Sequence, residues 1–270
     1  MKKVAVTGSF DDFGSTHVRF LDEASKFGDV HVLLWPDSAV RSLEGHDPKF
    51  PAEERLYVVQ SMRYVRDVKI VASPKDELPV VDGFAPDVWV VGEAADTPAK
   101  RAYCKARGLE YRVLRKKDLD IFPAPPKDID VTPSREKVVV TGCYDWFHSG
   151  HVRFFEEVSE LGDLYVIVGH DANIRLLKGE GHPMFPENER RYVAQAVRFV
   201  KQALISSGTG WMDAEPEILR LKPQMYAVNE DGDKPDKRAF CEKHGIRYVI
   251  LKRTPKEGLP RRQSTALRGF

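Results

Sequence analysis

Residues 137–151 read KVVVTGCYDWFHSGH. Lys137 to Gly142 is a short β-branched run ending in glycine, which predicts a buried strand. Beyond His148, apolar Val152, Phe155, Val158 and Leu161 recur at helical spacing, and Gly162 marks the stop. The turn between strand and helix carries His148 and His151, three positions apart and so on one face of the helix start. Gly150 between them lets a phosphate approach the backbone closely. A helix N-terminus offers free N–H groups and a partial positive charge. Two imidazoles, a glycine and a helix end together make a triphosphate cradle.

The same alternation continues along the chain. LYVIVG (164–169) predicts a strand, and 186–200 a helix that Pro186 is placed to start. Then follow a strand at 203–206, a helix at 214–221, a strand at 224–229, a helix at 235–244 and a strand at 246–251. Strands alternating with helices imply a parallel sheet covered on both faces. With right-handed crossovers this is a Rossmann-like, doubly wound α/β unit, which binds ligands at the carboxyl ends of its strands.

The unit occurs twice. GSFDDFGSTHVRFL (8–21) matches GCYDWFHSGHVRFF (142–155) at 8 of 14 positions. FPAEERLYVVQSMRYV (50–65) matches FPENERRYVAQAVRFV (185–200) at 9 of 16, and 91–114 matches 228–251 at 11 of 24. Order is kept while the offset drifts from 134 to 137, which is the signature of duplication. The proline-rich stretch FPAPPKDIDVTPSR (122–135) reads as a linker between units 1–121 and 136–270.

Forty-two basic residues balance 41 acidic ones in 270 residues, so the composition calls for no nucleic-acid partner. Cys104, Cys143 and Cys241 lie far apart, with neither a disulfide framework nor zinc spacing, and a cytoplasmic setting is expected. No stretch approaches the length of a membrane span.

GCYDWFHSGH resembles the G-x-F/Y-D-x-x-H-x-G-H signature of the cytidylyltransferase-like nucleotidyltransferases. Leu177-Lys178-Gly179 is similar to that family's lysine segment, Pro186-Glu187-Asn188-Glu189-Arg190 to its N-E-N-E-R helix start, and Arg262-Gln263-Ser264-Thr265 to its closing R-x-x-x-x-S-T segment. The resemblance covers nearly all of 137–268 and is nearest to the tandem ethanolamine-phosphate enzymes. One departure stands out: the arginine expected five residues before the serine is Leu259 here.

The resemblance implies transfer of a CMP unit from CTP to a small phosphorylated alcohol or polyol, with release of pyrophosphate. His148, His151 and Lys178 would be catalytic. Gly142, Tyr144, Asp145, Ser149, Gly150, Arg190, Ser264 and Thr265 would hold the nucleotide. Trp211, Asp231 and Asp233 are candidates for the acceptor. Mg²⁺ would bridge the triphosphate through phosphate oxygens and water, since no dedicated carboxylate cage is visible. Two other readings stand beside it: an adenylyltransferase of the same fold using ATP, and a nucleotide-binding regulatory or scaffold protein without turnover.

In the first copy, Gly14 stands at the His148 position, Thr16 at Gly150 and, with one gap, Glu44 at Lys178. His17 keeps the second histidine, and no counterpart of Arg262–Thr265 follows Leu114. A catalytically silent copy is expected, which could serve as one half of an intramolecular pseudo-dimer; a homodimer is the alternative.

Overall fold

The computed structural model describes residues 1–71, 83–126, 128–130, 132 and 134–264. The chain divides into two compact units, Met1–Phe122 and Pro123–Phe270.

The first unit runs β1 (Lys3–Gly8), α1 (Ser15–Ser25), β2 (Asp29–Leu34), α2 (Asp37–Glu44), α3 (Ala52–Gln60), β3 (Val65–Ile70), β4 (Val88–Gly92), α4 (Pro98–Arg107), β5 (Glu110–Leu114) and α5 (Lys116–Leu119). The second runs β6 (Lys137–Gly142), α6 (Ser149–Leu161), β7 (Asp163–Val168), α7 (Asp171–Lys178), α8 (Glu187–Ala196), β8 (Val200–Ile205), α9 (Glu215–Leu221), β9 (Met225–Asn229), α10 (Pro235–His244) and β10 (Arg247–Leu251). The sheets have the orders β3-β2-β1-β4-β5 and β8-β7-β6-β9-β10, parallel throughout. This is the doubly wound architecture, present twice.

The central strand β6 is covered on both faces, so Val138, Val139 and Val140 are all fully buried. On one face Val139 packs with Tyr165, Ile167, Ile218, Leu221 and Tyr226. Pairing then opens a crevice. β6 follows β7 over six residues, up to Gly142 opposite Val168, but meets β9 only at Val138–Met225 and Val139–Tyr226. Past Val139 the central strand and β9 part, at the point where the winding reverses. Open α/β sheets take their ligands at such a point.

Three sequence expectations change. The helix expected over 186–200 stops at Ala196, and the strand expected from 203 begins at Val200. The apolar run AVRFV fits either element; the Gln195 side chain accepts from the Ala203 amide (2.8 Å) and so fixes the start of the edge strand. The pattern assigns no element to 171–178, where α7 forms with His170 as its cap, Nδ1 accepting from the Asn173 amide at 3.3 Å. Finally, the stretch expected as a spacer lies along the second unit. Gln202 bonds Asp130 N and Asp128 O (2.8 and 2.9 Å), Tyr165 Oη donates to Asp130 O (2.6 Å), and Ile129 packs on the core. Among the described residues, no helix is long and apolar enough to cross a membrane.

Candidate active site

The loop after β6 is shaped by residues that both units keep. Tyr144 takes a left-handed conformation (φ 52°), and its ring folds back over Gly142, where a Cβ would meet Cζ at 2.8 Å. Phe10 (φ 48°) does the same over Gly8. Gly142 is therefore needed for the tyrosine ring, whatever else it touches. Asp145 Oδ1 accepts from the amides of Met184 (2.8 Å) and Phe185 (3.0 Å); Asp11 accepts from Lys49 (2.7 Å) and Phe50 (3.1 Å) in the same way.

Arg190 completes this frame and does not line the cavity. It is 2% exposed, and its guanidinium donates to the carbonyls of Phe185 (2.8 Å), Cys143 (2.6 Å) and Gly169 (2.8 Å) and to Asp171 (2.7 Å). Arg55 makes the same four contacts, to Phe50, Ser9, Trp35 and Asp37. An arginine so committed holds three loops together. The expectation that it binds phosphate is replaced by this role, which the other unit shares although it lacks His148.

His148 differs between the units. It caps α6, with Nδ1 accepting from the Gly150 amide at 3.1 Å. An amide can donate only to an unprotonated nitrogen, so the ring proton sits on Nε2, 3.2 Å from Ser264 Oγ. Burial, then Arg253 and Arg262, pushes the His148 pKa down to about 3. The side chain is thus a neutral Nε2–H donor at physiological pH. His151 stacks on it, ring centroids 4.0 Å apart and 19° from parallel. Burial, then His148, Arg253 and Lys178, holds His151 well below the usual histidine range. Two buried polar atoms beside this pair, His151 Nδ1 and Tyr144 Oη, have no hydrogen-bond partner among the described residues. The tyrosine stands edge-on to His151 at 5.3 Å.

Gly150 has a second reason to be glycine. A Cβ there would lie 2.9 Å from His148 Cε1 and 3.0 Å from Nδ1. Thr16 is tolerated at the equivalent position because Gly14 carries no ring.

A cavity of about 520 Å³ opens over the parted strands. It brings together Gly142, Tyr144, Asp145, His151, Lys178, Asp231 and Ser264 of the expected residues. His148 joins through Ser264, and Ser149 and Gly150 border an adjoining cleft with Arg153, Arg253 and Arg261. Lys178 is the last residue of α7, and its charge opposes the upward push that burial exerts on the Cys143 thiol. Glu44 is the last residue of α2, the equivalent helix.

Two acceptor candidates lie elsewhere. Asp233 is bonded to Arg238 and Tyr248 Oη, a trio that Asp96, Arg101 and Tyr111 repeat in the first unit. Trp211 is 57% exposed and does not line the cavity; the Lys234 ammonium lies 5.5 Å from its ring. Thr265 lies outside the described residues.

Asn229, His182, Lys237 and Arg253 also line the cavity, although no motif in the sequence pointed to them. Arg253 donates to Asp231 and to the Arg262 carbonyl (3.0 Å) and carries charge close to both histidines. It brings a guanidinium to the site although Leu259 cannot. The signal available was a basic residue just past the last strand, but its distance from Ser264 in the chain hid it. Among the described residues, no group of three or more His, Cys, Asp or Glu side chains could hold a metal ion.

A parallel sheet with a neutral histidine donor, a second histidine stacked on it and cations at its switch point fits a nucleotidyltransferase-type α/β unit. The chain belongs to the cytidylyltransferase-like family, whose model matches residues 5–129 and 139–253. Several relatives bear the name FAD synthase. That of Ferroglobus placidus is 36% identical over 125 residues, 45% of this chain and 78% of that protein. The Pyrococcus abyssi protein is 39% identical over 119 residues (44% and 76%), and the Methanocella paludicola protein 30% over 135 residues (49% and 93%). Each match has the length of one unit.

Proposed function

We propose that the second unit is an adenylyltransferase, transferring AMP from ATP to the phosphate of a phosphomonoester and releasing pyrophosphate. FAD synthase relatives support this reading over the CMP transfer expected from the motif alone, because FAD is an AMP unit joined to flavin mononucleotide. FMN is accordingly the proposed acceptor. The observation that carries the chemistry is the fixed neutral tautomer of His148.

A phosphomonoester is largely dianionic at neutral pH, its second pKa being about 6. Its oxygen attacks the α-phosphorus of ATP, the bond to the bridging oxygen of the β-phosphate breaks, and pyrophosphate leaves. No proton has to be taken from the nucleophile. The protein's work is positioning and stabilisation of charge. His148 Nε2–H donates to a phosphoryl oxygen in place of Ser264, and Lys178 and Arg253 neutralise the triphosphate. Mg²⁺ enters as part of the substrate, on phosphate oxygens. The first unit, with glycine and glutamate at the His148 and Lys178 positions, contributes no turnover.

The test is pyrophosphate release by the full chain with Mg²⁺ and ATP or CTP, across FMN, ethanolamine phosphate and glycerol phosphate. ATP with FMN should yield FAD. Release with CTP alone would restore the CMP reading, and release with no pair would favour a nucleotide-binding regulator.

A further inference from the structure

Catalysis of this kind has to hold two anions close together, a triphosphate and the acceptor's phosphate. Lys178 and Arg253 both act electrostatically on His151, and Arg253 on His148 as well, so they belong to the histidine end of the cavity. The third cation of the lining, Lys237, has no such link. It rises from the first turn of α10, with Nζ 5.5 Å from the Tyr226 ring, and Tyr226 Oη lies 2.7 Å from Thr141 Oγ1 at the end of β6.

Lys237 is a cation that no contact ion pair holds; its nearest acidic influence is Asp213, acting through space. Among the described residues it makes no salt bridge: Asp233 is paired with Arg238 and Tyr248, and Asp213 accepts from Ser206 Oγ (2.6 Å) while bearing on Lys237 only at longer range. Burial lowers its pKa by more than Asp213 raises it, so the ammonium is only partly compensated. The other unit shows a different disposition of the same residue. Lys100 is 4% exposed, and its Nζ donates to the Ala95 carbonyl at 2.7 Å. The tyrosine beneath it is replaced by Trp89, which carries no hydroxyl.

We propose that Lys237 binds the phosphate of the acceptor, and that it discriminates a phosphomonoester from the corresponding free alcohol. The inference rests on the adenylyltransferase reading for its substrate class, but not on FMN being the acceptor.

The experiment is binding by the full chain of FMN, riboflavin, ethanolamine phosphate, glycerol 3-phosphate and ATP, for wild type, Lys237→Met and Lys237→Arg. Loss of an ammonium–phosphate contact weakens binding by about tenfold or more. The methionine variant should lose that factor for the phosphomonoester and nothing for ATP or riboflavin, and arginine should restore much of it. Equal losses for ATP, an unchanged phosphomonoester affinity, or wild-type binding of no phosphomonoester would each overturn the assignment. Lys237-dependent binding of another phosphomonoester but not FMN would leave Lys237 standing and remove FMN. Should Lys237→Met not fold, the arginine variant and Lys237→Gln carry the same comparison.

Discussion

The ring of His148 and the α-carbon of Gly150 exclude any side chain between them: a methyl group at 150 would lie 2.9 Å from Cε1. Helix start, tautomer and donor direction thus depend on one glycine.

Gly150→Ala should push the imidazole out of line with Ser264. Turnover is expected to fall about 10²-fold, the typical cost of losing one transition-state donor. His148→Ala should cost about as much, and the double variant little more, since both remove the same contact. Fully additive losses in steady-state rates would show that Gly150 serves the phosphates independently.

His148 should not titrate in the physiological range. In the free protein its ring should remain the neutral Nε2–H tautomer from pH 8 down to about pH 5, as read by nitrogen chemical shifts. A midpoint near 6.5 in the His148 signals would reject the buried, arginine-flanked environment.

The same depressed pKa links pH to stability. Above pH 6.5 the ring is neutral both folded and unfolded and contributes nothing. As pH falls below 6.5, the unfolded chain takes up a proton that the folded ring refuses until about pH 3. Stability is therefore lost on acidification, by about 1.4 kcal/mol for each pH unit. Urea melts at pH 7 and pH 5 should show a smaller acid loss for His148→Asn than for wild type; equal losses would place the cost elsewhere.

Arg190→Met should destabilise the second unit by about 3 kcal/mol or more, because Asp171 and three carbonyls lose a buried partner. Nucleotide affinity of the folded fraction should change far less. A tenfold loss of ATP affinity with unchanged urea stability would return Arg190 to the phosphates.

Replacing Glu44 in the first unit by alanine should leave turnover unchanged. A large loss in pyrophosphate release would reveal chemistry there.

Much of this was legible in the chain. The valine run 138–140, the helical spacing after His148 and the duplication lead to the parallel sheet without coordinates. The strand–turn–helix motif also locates the site, because a doubly wound sheet has one place for it. Arg190 was assigned to phosphate because an arginine within a helix start reads alike whether it points to ligand or to carbonyls; only the hydrogen bonds of Arg55 and Arg190 separate the two. Lys237 and Arg253 were missed because they reach the cavity from α10 and from the segment after β10, far along the chain from the histidines. The limits of α8 were blurred by an apolar run that suits helix and strand equally.

The shared arginine clamp has an evolutionary consequence. In each unit the residues that close the loops, Asp11 with Arg55 and Asp145 with Arg190, form a set disjoint from His148, Gly150 and Lys178. After duplication, one copy could exchange its histidine for glycine and its lysine for glutamate without loosening the scaffold that carried them. The first unit shows the result: its loops keep the arginine and aspartate bonds, while glycine and glutamate stand at the His148 and Lys178 positions.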